Sequence, residues 1–216
     1  MKEERVLSLD ISTKTGHCLL ISGSDLFLES HGQLAPIHMP DGLYPGSFID
    51  WAYLVYKEIL EVIDSTYPDV LVIEETSSGS KSVYSQKILE YIHFLVASFI
   101  KETGIKAVYI MSEQWRRETG CKMSKAESKH NKDVRDYKKN NKTKIAYNAE
   151  GKRIGILTRK HVNIRRANEV FGHFFKEPLR KKDEDLADSC LLGLSYHLRR
   201  LKAEVKSDIN TVTEEK

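Results

Sequence analysis

Cysteine is scarce in this 216-residue chain, which has three, widely separated and never in a C-x-x-C pair: Cys18, Cys121 and Cys190. This spacing argues against a disulfide framework or a zinc site and favours a reducing, intracellular compartment. Long apolar runs are also lacking, because no stretch approaches the roughly 20 residues needed to cross a bilayer. The N-terminal sequence has no signal-peptide core, so we expect a protein that is neither secreted nor bound to a membrane.

Apolar residues make up 40% of the chain, which is enough for a core, while the mean hydropathy of -0.44 indicates a polar surface. The length fits one domain with room for an insertion or a tail. We expect one domain over residues 1–202, with an insertion at about 112–160, and a polar tail over 203–216 that frays.

Charge is unevenly distributed along the chain. Residues 112–182 contain 21 Lys and Arg against 8 Asp and Glu, a net charge of +13, so the remainder carries −10 within the total of +3. Segregation of this size is typical of proteins that bind nucleic acid, because each cation that neutralises a phosphate releases counterions. A solvated basic loop without a partner would have the same composition.

Short turns rich in Gly, Ser and Lys separate three β-prone runs in the first third of the chain, which predicts three antiparallel strands. Helical spacing and buried-strand patterns then alternate up to the basic region, and two helices follow it. The predicted strands cover 5–11, 17–21, 26–34, 69–74 and 106–111, and the helices cover 50–63, 83–103, 162–175 and 183–202.

This order predicts an α/β protein with the RNase H-like fold. Its mixed five-stranded sheet would have three antiparallel strands and then two parallel ones, flanked by helices, with the basic insertion before the last helix. The helix predicted over 83–103 has an apolar stripe broader than one core face needs. This stripe could pack within the monomer or, in part, against a second subunit.

Acidic side chains occur where this fold would bring them together. Asp10 lies in the first strand, and Glu74 ends the fourth. Asp185 and Asp188 share one face near the start of the last helix. Phosphodiester hydrolysis by two divalent ions about 4 Å apart needs several converging carboxylates, and Mg²⁺ prefers oxygen ligands. Each acid also has a structural explanation, such as a solvated strand end or an acidic helix start that suits the helix dipole.

Three segments resemble motifs of the RuvC-type Holliday junction resolvases. Leu7–Gly16 (LSLDISTKTG) is similar to the first motif, hhhDhxxxxxG, and Val72–Glu75 (VIEE) to the second strand motif. Asp185–Leu192 (DLADSCLL) resembles the D-x-A-D-A pattern that opens the last helix, and this is the most specific of the three. The resemblance covers about residues 5–111 and 160–200 and leaves the middle of the chain unmatched.

The resemblance implies Asp10, Glu74, Asp185 and Asp188 as catalytic metal ligands, with Glu75 as a possible substitute for Glu74. It implies two Mg²⁺ ions in each active site, which Mn²⁺ could replace, and a homodimer that presents two active sites to branched DNA. The function implied is a structure-selective endonuclease that resolves four-way or other branched DNA junctions.

A catalytic lysine is also implied, between the fifth strand and the last helix. Lys122, Lys125 and Lys160 are candidates in this expanded interval. Lys160 is favoured because it leads into the helix that precedes the acidic pair, although it could equally be an ordinary surface lysine.

The loop after the strand of Glu74 would border a DNA-binding cleft. Lys81 could contact a phosphate there, and Tyr84 could stack on an unpaired base, as the resemblance implies, or pack within the following helix. Contacts to the DNA backbone position a protein without reading sequence. The cations of the basic segment expected to make them are Arg116, Arg117, Lys122, Lys125, Lys138, Lys139, Arg165, Arg166 and Lys181.

Other functions share parts of this pattern. An RNase H, or a less specific nuclease, would have the same acids and a different grip on its substrate. An ATPase of the actin/hexokinase type has a similar first motif but needs a second phosphate hairpin, which we do not find. A non-catalytic DNA-binding module would keep the basic segment without needing the placed acids.

Overall fold

The computed structural model describes residues 2–35, 37–76 and 83–214, with side chains as far as residue 206. Its main sheet has five strands, in the order β3-β2-β1-β4-β5. Their bounds are β1 Glu4–Asp10, β2 Gly16–Ser22, β3 Leu26–Gln33, β4 Val70–Glu75 and β5 Lys106–Met111. The first three strands pair antiparallel, and β4 and β5 run parallel to β1. The RNase H-like sheet expected from the sequence is therefore confirmed.

Helices cover both faces of this sheet and bury the apolar side chains of its central strands. The helices are α1 Gly46–Thr66, α2 Val83–Thr103, α3 Ser112–Glu118, α4 Lys125–Asn140, α5 Arg159–Phe171 and α6 Glu184–Glu214. Helices α1 and α2 pack on one face, while α3, α5 and α6 contribute to the core on the other. Successive side chains of a strand point to opposite faces, so Val6 of β1 enters one core and Leu7 the other.

The basic segment contains more regular structure than its sequence pattern indicates. Helix α4 has few apolar residues, so no helical periodicity could show. Its first turn is fixed by a capping box, in which Ser124 and Glu127 satisfy each other's backbone N–H groups. Val134 of this helix is buried. A two-stranded hairpin, β6 (Ala146–Tyr147) and β7 (Arg153–Ile154), follows, and its Ala146 is buried as well.

Two helices are longer than the sequence predicted. Helix α1 begins at Gly46 rather than at residue 50, and α6 continues to Glu214 rather than ending at residue 202. Both extensions are rich in polar or turn-forming residues, so the apolar periodicity used to place the ends stops before the helices do. In the part of the chain that the structure describes, none of the helices combines the length and apolarity needed to span a bilayer.

Candidate functional site

The parallel pairing of β1 and β4 brings two of the predicted acids to one edge of the sheet. Leu9 pairs with Ile73, so the next residues, Asp10 and Glu74, lie side by side at the carboxyl ends of neighbouring strands. Glu75 points the other way, as the alternation of a strand requires, and lines a separate cavity. Of the two adjacent glutamates, it is therefore Glu74 whose charge acts on Asp10.

Helix α6 brings the other two acids to this edge, because its first turns lie unusually close to β1 and β2. Gly16 makes this possible: a Cβ atom there would lie 2.1 Å from the backbone oxygen of Asp185. One turn further along, the buried Ser8 hydroxyl donates to the backbone oxygen of Ser189 at 2.7 Å. The glycine of the first sequence motif thus permits the helix contact that places Asp185 and Asp188.

The four carboxylates are largely buried and lie close enough to repel one another. The pKa of Asp10 lies well above its usual range, because burial disfavours the charged form and the neighbouring carboxylates, Asp188 foremost, add to the repulsion. Burial also raises the pKa of Asp188, to about 7. The pKa values of Glu74 and Asp185 are raised by burial as well. The site therefore concentrates negative charge that a bound cation would stabilise.

Three neutral side chains hold these carboxylates in place. The fully buried Trp115 donates its indole N–H to Glu74 Oε2 at 2.7 Å. Asn163 donates from Nδ2 to Asp188 Oδ1 at 2.8 Å, and Gln33 donates from Nε2 to Asp185 Oδ2 at 2.9 Å. Glu74, Asp188 and Asp185 thus accept their hydrogen bonds from three different elements, which are α3, α5 and β3, respectively. Such outer partners fix the orientation of metal-ligating groups.

Cations border the acids without neutralising them fully. Arg116 lies over the Trp115 ring, and its Nη2 is 3.7 Å from Asp188 Oδ2. Lys160 forms an ion pair with Glu184 at the start of α6. Burial lowers the pKa of Lys160, but the hydrogen bond to Glu184 and the nearby acidic charges outweigh this effect and raise it.

The donor set suits hard divalent cations, since it consists of carboxylate oxygens with uncompensated charge. Within the described ranges, no three His, Cys, Asp or Glu side chains are arranged so as to hold a metal ion together. Mg²⁺ commonly takes only one or two protein carboxylates and completes its octahedron with water and substrate phosphate. An arrangement without three protein ligands on one ion, among the described residues, fits that mode of binding better than a closed protein cage.

A cationic cavity of about 420 Å³ opens beside the acids. Arg116 and Asn163, which contact Asp188, form part of its wall. Arg117, Lys122, Arg159 and the acidic Glu113 are among its other lining residues. The cavity thus joins the carboxylate cluster to the basic segment.

The other predicted contacts are distributed around the basic segment. Arg165 is engaged by Glu127 and Glu169, and Arg166 by Glu169 and a backbone oxygen, so both guanidinium groups have protein partners. Lys125 is the first residue of α4, while Lys138 and Lys139 lie in its last turn. Lys181 is exposed in the 3-10 turn before α6. Lys81 lies outside the described residues.

Sequence reasoning missed the residues that orient the acids. Asn163 could have been recognised from the sequence, because it is a polar residue on the buried face of α5, beside Val162 and Ala167. The roles of Trp115 and Gln33 could not have been recognised, because they depend on the positions of α3 and β3 relative to the acids. Arg116, which was predicted as a DNA contact, also lies beside Asp188, a position that the sequence did not indicate.

Comparison with known proteins rests on structure alone, since no family model and no curated protein matches the sequence. RuvC of Thermus thermophilus superposes with a TM-score of 0.58 at 12% identity, over 92% of this chain and 96% of the other. The same protein in complex with a Holliday junction substrate gives a TM-score of 0.57 at 12% identity, over 91% and 95% of the two chains. The chain therefore shares the fold of this RuvC.

Proposed function

We propose that this protein is a metal-dependent endonuclease that cuts branched DNA, with four-way junctions as the expected substrate. The observation that carries the proposal is the meeting of Asp10, Glu74, Asp185 and Asp188 at one sheet edge, each with a raised pKa. The resemblance of the three motifs and the likeness of the fold to a RuvC bound to a Holliday junction support it.

The four acids would supply the ligands for two Mg²⁺ ions, which Mn²⁺ could replace. Such a pair of ions activates a water molecule and stabilises the leaving oxygen of a phosphodiester. Trp115 and Asn163 would hold Glu74 and Asp188 in the orientation that the ions need, because each donates a hydrogen bond to one oxygen of its carboxylate. Lys160, on the α6 side of the cluster, would counter negative charge that develops on the cleaved phosphate.

The cationic cavity would guide the DNA backbone to the acids. Arg117 and Lys122 line it, from α3 and from the turn that follows, and would offer positive charge to the DNA phosphates. Replacing Arg117 with Gln should weaken DNA binding irrespective of sequence and reduce the slope of log K against log salt by about 1. An unchanged slope would remove Arg117 from the DNA path.

A homodimer is part of the proposal, because a junction has two strands to cut. Helices α1 and α2 share an apolar cavity of about 580 Å³ with Ile49 and Phe94 in its wall. Phe94 is 70% exposed and Ile49 50% exposed, which is unusual for large apolar side chains so close together. Light scattering should give the mass of a dimer for the wild-type protein and that of a monomer for Phe94→Glu.

The decisive experiment compares four-way, flap, linear duplex and RNA/DNA hybrid substrates with Mg²⁺ and with EDTA. We expect cutting of the branched DNA in Mg²⁺ only. Asp10→Asn should abolish cutting and keep DNA binding, because only a metal ligand is lost. Asp136→Asn is the matched control, since this acid of α4 is exposed, whereas Asp10 is buried.

The outcomes separate the alternatives. Preferential cutting of the hybrid would indicate an RNase H, and equal cutting of every DNA substrate would indicate a nuclease without structural preference. Binding without any cutting would indicate a DNA-binding module. Metal-dependent cutting that survives in Asp10→Asn would refute the catalytic assignment itself.

A further inference from the structure

Lys14 lies in the turn 11–15, which connects β1 to β2 beside the acidic cluster. The two strands meet at Asp10 and Gly16, which pair with each other across the hairpin. Asp10 belongs to the cluster itself, and Gly16 packs against the backbone of Asp185. The turn is therefore part of the sheet edge at which the four acids meet.

Hydrogen bonds from its own side chains hold the backbone of this turn. The Ser12 hydroxyl accepts from the Lys14 N–H at 3.0 Å, and the Thr15 hydroxyl accepts from the Ser12 N–H at 3.1 Å. The Thr15 hydroxyl also donates to the Ser12 backbone oxygen at 2.7 Å. Thr15 is only 1% exposed, and its backbone oxygen accepts from the Leu34 N–H. The exposed side chain of Lys14 therefore extends from a backbone that is fixed in place.

The ammonium group of Lys14 acts on the acids without being paired to them. Burial raises the pKa of Asp185, and the positive charges of Lys160 and Lys14 act against this rise. Lys160 is also paired with Glu184. Among the residues that the structure describes, the side chain of Lys14 has neither an ion-pair partner nor a hydrogen-bond partner. Its charge is therefore available to an anionic ligand that approaches the cluster.

The order of the strands places Lys14 and the cationic cavity on different sides of the cluster. In the sheet, β2 lies on one side of β1, and β4 and β5 lie on the other. The turn that carries Lys14 leads into β2, whereas α3, which supplies Arg116 and Arg117 to the cavity, begins directly after β5. A DNA strand that crosses the acids would thus meet positive charge on both sides of them.

We propose that Lys14 binds the phosphate next to the one that is cut, on the side of the cluster towards β2. The inference rests on the proposed endonuclease function and adds a second point at which the protein holds the cleaved strand. Hydrolysis needs the scissile phosphate to be placed accurately against the attacking water. A strand held by the cationic cavity alone could pivot about it, whereas contacts on both sides fix the phosphate between them. Lys14 is thus a positioning residue.

The test measures whether Lys14 and one phosphate act together. An uncharged methylphosphonate replaces one phosphate at a time, at positions counted from the branch point of a four-way junction. Binding is measured in an Asp10→Asn background with Mg²⁺, which prevents cutting. At the phosphate next to the cut bond, this replacement should weaken binding by about three- to tenfold, because one counterion fewer is released. It should cost nothing further when Lys14→Gln is added, because the contact is then already lost.

Three further variants define the expected pattern. Lys14→Arg should keep both the affinity and the dependence on that phosphate, because it keeps the charge. Arg117→Gln should remove the dependence on a phosphate at the other side of the cut bond, whose position is mapped with wild-type protein. Lys101→Gln is the matched control and should change the dependence on none of the phosphates. This exposed lysine lies in the last turn of α2, near the start of β5 and thus towards the opposite edge of the sheet.

The inference fails if the losses from Lys14→Gln and from the methylphosphonate next to the cut bond add in full. It also fails if Lys14 and Arg117 depend on the same phosphate, or if Lys101→Gln behaves as Lys14→Gln does. Failure of the proposed function would look different, since wild-type protein would then leave every DNA substrate intact in Mg²⁺. Dependence of Lys14 on one phosphate beside the branch point would in that case still establish its contact with DNA.

Discussion

Replacement of Asp188 by asparagine should stabilise the metal-free protein while it abolishes cleavage. The pKa of Asp188 is raised from 3.8 to about 7, chiefly because the carboxylate is buried. Since one pKa unit corresponds to about 1.36 kcal/mol, the charged carboxylate destabilises the fold by up to about 4 kcal/mol above pH 7. Asparagine fills nearly the same volume without the charge.

The net gain should be smaller than this upper limit, because Arg116 loses its carboxylate partner at 3.7 Å. The hydrogen bond from Asn163 survives, since the amide oxygen of asparagine can accept it. We expect a net stabilisation of about 1–2 kcal/mol. At about 2–4 °C per kcal/mol for a protein of this size, the Tm should rise by roughly 2–8 °C.

The gain should depend on pH. In the unfolded chain Asp188 loses its proton near pH 3.8, but in the folded protein it does so near pH 7. Between these pH values the folded state binds more protons than the unfolded state. The contribution of Asp188 to the free energy of unfolding is therefore fully present below pH 3.8 and is lost as the pH rises through 7. The variant lacks this loss, so the difference in Tm should be near zero at low pH and largest above pH 7.

Thermal melts followed by circular dichroism in EDTA, from pH 4 to pH 8, measure this difference. Asp136→Asn, in an exposed part of α4, should change the Tm little at any pH. Added Mg²⁺ should stabilise the wild-type protein, because a ligand that binds only the folded state raises its stability, and should stabilise Asp188→Asn less. A variant that is no more stable than wild type at pH 8 in EDTA would refute the electrostatic account of the site.

Three further predictions concern the support of the acids. Trp115→Phe should keep the packing but remove the hydrogen bond to Glu74. The Mg²⁺ concentration at half-maximal cutting should therefore rise by about 10–100-fold. An unchanged Mg²⁺ titration would contradict this. Gly16→Ala should destabilise the protein by about 1–3 kcal/mol in urea unfolding, because the added carbon would collide with the backbone of Asp185; wild-type stability would show that α6 can shift freely. Lys160→Gln should slow cutting by about 100-fold with little change in DNA affinity, whereas a proportional loss of affinity would assign the lysine to binding.

Much of the fold could be predicted because its signals are local. Hydrophobic alternation and turn residues indicate β1 to β5, and the order of elements then selects the sheet. The acids could be placed for the same reason: Asp10 and Glu74 end apolar runs, and parallel strands that pair must end at one edge. Spacing alone put Asp185 and Asp188 on one helix face.

The surroundings of the acids could not be predicted, because they depend on tertiary contacts. The hydrogen bond from Trp115 to Glu74 depends on the position of α3, which begins directly after β5. Helix α4 escaped detection for a different reason, since it is stabilised by its cap and by a few buried residues such as Val134 rather than by an apolar stripe. Charge pattern indicated a nucleic-acid surface but could not show that Arg165 would be held by Glu127.

The hydrogen bond between Ser8 and Ser189 joins positions 181 residues apart. Ser8 leaves the ribosome long before Ser189, because a chain is synthesised from its N-terminus to its C-terminus. Until α6 has emerged and docked, Asp10 and Glu74 stand without the other two acids, and the sheet face that α6 covers is bare. A chain that stops before α6 would therefore lack the complete acidic centre, so the proposed activity would arise only once α6 has docked.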